Sequence, residues 1–264
     1  MSAPTPYSVL LSRMEASDGE ARIDVPEDWL QGRTLFGGLQ AAIALRAMRT
    51  LVPEAPLRSL QTTFAGPVPG GPVRAKARIV RSGKNTTHVE ARIVEGEQVL
   101  ALLAGIFGNS RESSVEVVPV QPAVEGGRPF EMKYVPGAAP AFTQHFTARW
   151  VRGGAPYTGA TDRENVIELG MRDEGTATEY HVLAMADFIP PVALSFLKER
   201  AAAASLNWML EMLAGDVRSL PLQGWRLDAR VMAARGGYTS QSLELWGPGG
   251  VPVALGRQTM VVFA

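Results

Sequence analysis

Apolar positions along this chain fall into two patterns, one filling a whole helical circumference and one alternating. Phe36-Gly37-Gly38-Leu39-Gln40 opens a segment, Ala41 to Leu51, made of little but Ala, Ile, Leu and Met with two arginines. Apolar residues on nearly every side predict a helix buried all round rather than one lying on a surface. Pro53 and Pro56 end it. Four strand-like runs follow, at Arg58–Phe64, Val73–Arg81, Thr86–Val94 and Gln98–Phe107. The breaks Ser82-Gly83-Lys84-Asn85 and Glu95-Gly96-Glu97 are short enough for antiparallel hairpins. Val118 to Pro140, rich in Pro and Gly, reads as a linker.

The order then recurs. Phe142–Val151 predicts a strand and Glu179–Ile189 a helix. Ala203–Met212, Gly224–Ala233, Tyr238–Leu245 and Val251–Phe263 predict four more strands. Short matches support a repeat: Ser59-Leu60-Gln61-Thr62 with Ser205-Leu206-Asn207-Trp208, and Leu100-Ala101-Leu102 with Val253-Ala254-Leu255. An antiparallel sheet wrapped around a central helix would bury that helix as its composition demands. Two such units in one chain could pair their sheets edge to edge, removing an exposed edge from each. The expectation is a tandem repeat of α+β type, with units 1–117 and 141–264 joined by 118–140.

One residue breaks the second helix. Asp187 is a lone carboxylate in the run Val182 to Leu194. Burying an ionised carboxylate costs several kcal/mol or more unless it is paired or hydrogen-bonded. Asp187 is therefore either satisfied structurally near the Pro190-Pro191 stop or kept because a shifted acidity is useful. The corresponding helix of the first half holds no acid.

Composition narrows the function classes. In 264 residues, 46% hydrophobic and 20% charged content is ordinary for a globular protein. Zero net charge implies no broad attraction to nucleic acid or anionic membrane. Zero cysteines exclude disulfides, thiolate catalysis and cysteine metal sites, and fit a reducing compartment. The N-terminus lacks the pattern of a signal peptide, and no run approaches a membrane span. A cytoplasmic location is the default expectation.

The glycine-helix opening Phe36-Gly37-Gly38-Leu39-Gln40-Ala41-Ala42, the strand Arg58-Ser59-Leu60-Gln61-Thr62-Thr63-Phe64 and the helix end Met185-Ala186-Asp187-Phe188-Ile189-Pro190 together resemble the double hotdog acyl-CoA thioesterases, the acyl-CoA thioesterase II type most closely. The resemblance implies two antiparallel sheets, each wrapping a central helix. It also implies hydrolysis of an acyl-CoA, with coenzyme A part of the substrate and no other cofactor. In that family an Asp, a Thr or Ser, and a Gln hold the attacking water. Carried over, these fall on Asp187, Ser205 and Gln258. The family's Thr is Ser here, which keeps the hydroxyl.

The residue chemistry agrees with that reading. Thioester hydrolysis needs an oriented water, an acceptor for its proton, and donors for the developing oxyanion. Asp187 is an acceptor, while Ser205 and Gln258 offer hydrogen bonds to the same water. Gly37 and Gly38 at a helix start offer backbone N–H groups to a thioester carbonyl, although glycine also opens helices for steric reasons. The first half has Ser59 where the second has Ser205, and Gly105 where it has Gln258, so one site per chain is expected. Gln258 could equally be an edge-strand residue. His88, His145 and His181 show no metal-ligand spacing, and no metal is expected. His88 and His145 read as surface or half-buried, and no Asp/His pair of the hydratase kind stands out. The elbow Gly-x-Ser-x-Gly is absent. Arg74, Lys76, Arg78, Arg81 and Lys84 form either a solvated strand face or a contact for coenzyme A phosphates. The alternatives to a thioesterase are an acyl-CoA-binding hotdog protein without hydrolysis and a hotdog dehydratase. The partner is a small acyl-CoA, and the chain is a monomer or a homo-oligomer.

Overall fold

A computed structural model describes residues 3–264. The first half contains α1 (Tyr7–Ser12), β1 (Glu15–Ser17), β2 (Glu20–Val25), β3 (Leu30–Gln31), β4 (Thr34–Leu35), α2 (Gly37–Arg49), β5 (Leu57–Phe64), β6 (Gly71–Ser82), β7 (Thr86–Glu95) and β8 (Gln98–Gly108). The second contains β9 (Phe130–Glu131), β10 (Phe146–Arg152), β11 (Glu164–Met171), α3 (Glu179–Ala186), β12 (Ala202–Met212), β13 (Trp225–Arg235), β14 (Tyr238–Gly247) and β15 (Val251–Phe263). The strand-rich second pattern of the sequence thus becomes long antiparallel strands, and the all-round apolar segment becomes α2. Eleven of its residues, from Gly37 through Met48, are buried.

The two sheets expected from the sequence are joined edge to edge into one. Thirteen strands run in the order β1-β2-β6-β7-β8-β5-β12-β15-β14-β13-β11-β10-β9. The join is β5 against β12, antiparallel, with Leu60 opposite Leu210. Pairing these strands satisfies the backbone groups that each half alone would leave at an edge. Outward from the join the order is the same in both directions. A strand, then its three hairpin-linked successors, then the hairpin that precedes the helix follow on each side. α2 packs on β2, β6, β7 and β8, and α3 on β11, β14 and β15, while α2 and α3 pack on each other.

Several elements differ from the sequence expectation. β1, β2 and β11 were not anticipated. They are short, and in β11 (Glu164–Met171) the burial is nearly continuous rather than alternating, the pattern that periodicity separates least well from a helix. Residues 142–145 form a tight helical turn, so the strand begins at Phe146. α2 starts at Gly37, within the glycine opening read from the sequence, whereas α3 ends at Ala186, three residues short of Ile189 and ahead of Pro190-Pro191. The expected linker, 118–140, contains β9, which extends the sheet by pairing with β10.

Candidate active site

α2 and α3 lie antiparallel. At one end, Arg49 in the last turn of α2 grips Glu179 in the first turn of α3 through two hydrogen bonds. Each charge also suits the helix end that it occupies. At the other end the start of α2 meets Asp187, which caps the C-terminus of α3. The approach is close. A Cβ on Gly38 would lie 2.9 Å from the Ala184 Cα and from the Leu183 carbonyl oxygen, and one on Gly37 would lie 2.6 Å from Asp187 Oδ2. A side chain at Gly38 would have to move α3 backbone, and one at Gly37 would have to displace the Asp187 carboxylate, which gives the Gly37-Gly38 pair a steric reason.

The carboxylate of Asp187 faces β15. The amide Nε2 of Gln258 donates to Asp187 Oδ1 at 3.1 Å and to Ser205 Oγ at 3.1 Å. The structure therefore brings together Asp187, Ser205 and Gln258, from a helix end and two neighbouring strands. Gln258 is 3% exposed and sits on a strand flanked by β12 and β14, so the edge explanation for it fails. Asp187 and Ser205 keep some accessible surface. Burial raises the Asp187 pKa from 3.8 to about 7, against the Gly38 N–H and Gln258, which both favour the ionised form. No charged partner contributes. The acid is thus balanced near neutrality, where a group both accepts and releases protons readily. Of the two glycine N–H groups expected to suit a thioester carbonyl, that of Gly38 acts on Asp187 itself.

Ser205 reaches this face through a β-bulge. Ser205 opposes Met260 while Asn207 opposes Thr259, leaving Leu206 as the extra residue. A bulge re-aims side chains next to it, and here it puts Ser205 on the same face as Gln258 and Met260. The first half has the matching bulge: Leu57 opposes Phe107 while Ser59 opposes Ile106. Aligned on the bulges, Ser205 corresponds to Leu57, and the sequence match of Ser59 to Ser205 is corrected. Gln258, opposite Trp208, still corresponds to Gly105, opposite Leu60. A Cβ on Gly105 would lie 2.8 Å from Met48 Sδ. Where the second half has an amide reaching an acid, the first has a methionine of α2 packed on a glycine. One polar set per chain is what the structure holds at these positions.

Gln241, on β14 directly across from Gln258, is a site neighbour that sequence reasoning missed. Its signal was present: it shares the inward parity of Thr239, Leu243 and Leu245, alternating with Ser240, Ser242 and Glu244. The histidine expectations also change. His145 is buried, stacked on Trp29 and near Asp28, and His181 lies beside Asp173. Two Asp/His pairs therefore exist, but both fasten the N-terminal segment to the second half and neither touches Asp187. In the basic group, Arg74 pairs with Glu20 and Arg78 with Glu90 on the outward face, which supports the solvated-face reading. Among the described residues no cluster of His, Asp and Glu could hold a metal, and no helix is long and apolar enough to cross a membrane.

Solved structures share this architecture. A conserved hot dog fold protein of unknown function from Alicyclobacillus acidocaldarius is similar at a TM-score of 0.85 and 21% identity, covering 97% of each chain. A tesB protein from Mycobacterium avium subspecies paratuberculosis is similar at 0.76 and 16%, covering 98% of this chain and 100% of that one. An acyl-CoA thioesterase II, TesB2, from Mycobacterium marinum is similar at 0.72 and 18%, covering 96% and 97%. A search of curated protein sequences finds no match. The likenesses make this a hotdog-fold protein. Family models are more specific: the acyl-CoA thioesterase N-terminal domain matches residues 25–108 and the C-terminal domain residues 116–262. The chain belongs to the acyl-CoA thioesterase family and is a thioester hydrolase.

Proposed function

We propose that Asp187, Ser205 and Gln258 hold the water that hydrolyses the acyl-CoA thioester. The observation that carries this is the single amide of Gln258 bonded at once to Asp187 and Ser205, beside an acid whose pKa lies about 7. Ionised Asp187 accepts a proton from the water while Ser205 Oγ, already accepting from Gln258, donates its own proton to the water's lone pair. The water oxygen bonds to the thioester carbonyl carbon. The tetrahedral intermediate then collapses with cleavage of the C–S bond, and Asp187 returns the proton to the departing coenzyme A sulfur. The products are the free acid and the coenzyme A thiol. Gly37, at the positive end of α2, contributes a donor on the side where carbonyl charge develops, while the Gly38 N–H holds the Asp187 carboxylate.

The matching strand order and the paired bulges support a duplicated hotdog unit, residues 1–117 and 141–264 joined by 118–140, each with its own central helix. The first unit supplies α2 and its glycines, and the second supplies the acid, hydroxyl and amide. A cytoplasmic enzyme without a resident cofactor completes the reading. The test is thiol release from a panel of acyl-CoAs of increasing chain length, with wild type and Asp187→Asn. Turnover by wild type and its loss in the variant, with acyl-CoA binding kept, is the expected result. Full activity in Asp187→Asn would remove the acid from the mechanism, and tight binding with no thiol released by wild type would favour a binding protein.

A further inference from the structure

Gln241 has no exposed surface. Its Oε1 accepts from the Val192 backbone N–H at 2.9 Å, and its Nε2 donates to Gln258 Oε1 at 3.2 Å. The two ends of a glutamine amide are nearly identical in shape, so only their partners decide which way each faces. Here the decision starts from backbone. A peptide N–H only donates, so Gln241 turns its oxygen to Val192 and its NH2 to Gln258. Gln258 must then accept with its oxygen, which turns its own NH2 toward Asp187 and Ser205. The sense of the entire chain of bonds follows from one N–H in the turn after Pro190-Pro191.

We propose that Gln241 is a positioning residue that fixes the amide sense of Gln258, so that both of its N–H groups donate into the site. This rests on the reading of Asp187, Ser205 and Gln258 as the water-holding set. In the opposite sense Gln258 would present a carbonyl oxygen to the carboxylate. That contact repels an ionised acid and gives Ser205 an acceptor in place of a donor, so its proton would turn away from the water. The groups acting on the Asp187 carboxylate are the Gly38 N–H from α2 and the Gln258 amide from β15. A reversal of Gln258 would therefore register directly in the acidity of Asp187.

The experiment compares wild type with Gln241→Leu, Gln241→Glu, Gln258→Leu and the double variant Gln241→Leu/Gln258→Leu. Thiol release from acyl-CoA is followed across pH, and folding is followed by thermal melting. Gln241→Leu should lower kcat by roughly 10- to 100-fold with little change in KM, because the groups that meet the reacting atoms are misplaced rather than removed. The double variant should be no slower than Gln258→Leu alone, since a residue acting through Gln258 has nothing left to position. Gln241→Glu keeps the shape and, once its carboxyl is ionised, only accepts, whereas the protonated form still donates. At a pH where that carboxyl is ionised, the variant should reverse Gln258, lower kcat and move the acid limb of the rate profile to higher pH by about one unit or more. Wild-type rates in Gln241→Leu overturn the proposal, as does a double variant slower than Gln258→Leu by the full Gln241→Leu factor. If Gln241→Leu does not fold, Gln241→Glu decides, followed up to alkaline pH where the introduced carboxyl is ionised: a wild-type rate across that whole range overturns it. An active Gln258→Leu sinks the catalytic set itself, whereas an inactive Gln258→Leu beside a fully active Gln241→Leu sinks only the role of Gln241.

Discussion

Asp187 is held at a cost to the fold, and removing its charge should stabilise the protein. Burial raises its pKa from 3.8 to about 7. At 1.36 kcal/mol per unit, a shift of about three units is worth at most about 4 kcal/mol, less because the residue keeps some contact with solvent. The sign follows from which state binds the proton more tightly. Below about pH 4 the acid is protonated in both folded and unfolded chains, and there is no penalty. Between about pH 4 and 7 the unfolded chain releases the proton while the fold retains it, so stability falls as pH rises. Above about pH 7 both are ionised and the full penalty stands. Asp187→Asn cannot ionise and keeps an oxygen for Gln258, but its NH2 meets the Gly38 N–H or the Gln258 amide, a mismatch of about 1–2 kcal/mol. The variant should therefore be about 1–3 kcal/mol more stable than wild type near pH 8, a few degrees in Tm, and no more stable near pH 4. Urea and thermal melts of both proteins at the two pH values measure this, with thiol release assayed on the same samples. A stability difference that does not change with pH, or a variant less stable at pH 8, would refute the account of Asp187 as a strained buried acid.

Other perturbations separate structure from chemistry. Ser205→Ala should lower kcat by about 10- to 100-fold while Ser205→Thr, which keeps the hydroxyl, stays within several-fold of wild type in the thiol assay. Gly38→Ala should cost about 1–3 kcal/mol in urea melts, because its Cβ would lie 2.9 Å from α3 backbone; a neutral result would mean the helices part easily. Asp173 is a structural counterpart to Asp187. Burial alone would raise its pKa, but His181, the Ser8 side chain and N–H, and the Glu174 N–H bring it down to about 2. Its stabilisation is present above the unfolded pKa of 3.8 and is lost as pH falls toward 2. Asp173→Asn should cost about 2 kcal/mol at pH 7 and progressively less as pH falls below 4, with thiol release unchanged in the folded protein. A pH-independent loss would remove Asp173 as the anchor of the N-terminal helix.

How far the sequence carries depends on whether a feature is local. The all-round apolar composition of Ala41 to Leu51 required a buried helix, and α2 is one. Alternation and short Gly-containing turns required antiparallel hairpins, and β6 to β8 and β13 to β15 form them. A lone carboxylate in an apolar run had to be either satisfied or put to use, which singled out Asp187 before any fold was known. These are properties of a few consecutive residues, and the chain's own periodicity expresses them.

What the tertiary structure decided depends on pairing between distant residues. The two halves share one sheet because β5 and β12 satisfy each other's edges, a long-range pairing of backbone groups. Ser205 faces Gln258 because Leu206 is bulged, and a bulge shifts every later side chain to the other face by one residue. That is why Ser59, identical in type, is not its counterpart and Leu57 is. Gly37 and Gly38 are needed because two helices from different halves touch there. The sense of the Gln258 amide depends on a backbone N–H 66 positions earlier in the chain, at Val192. Residue types supplied the acid, the hydroxyl and the amide, but only the register of the strands and the meeting of the helices turned them toward one another.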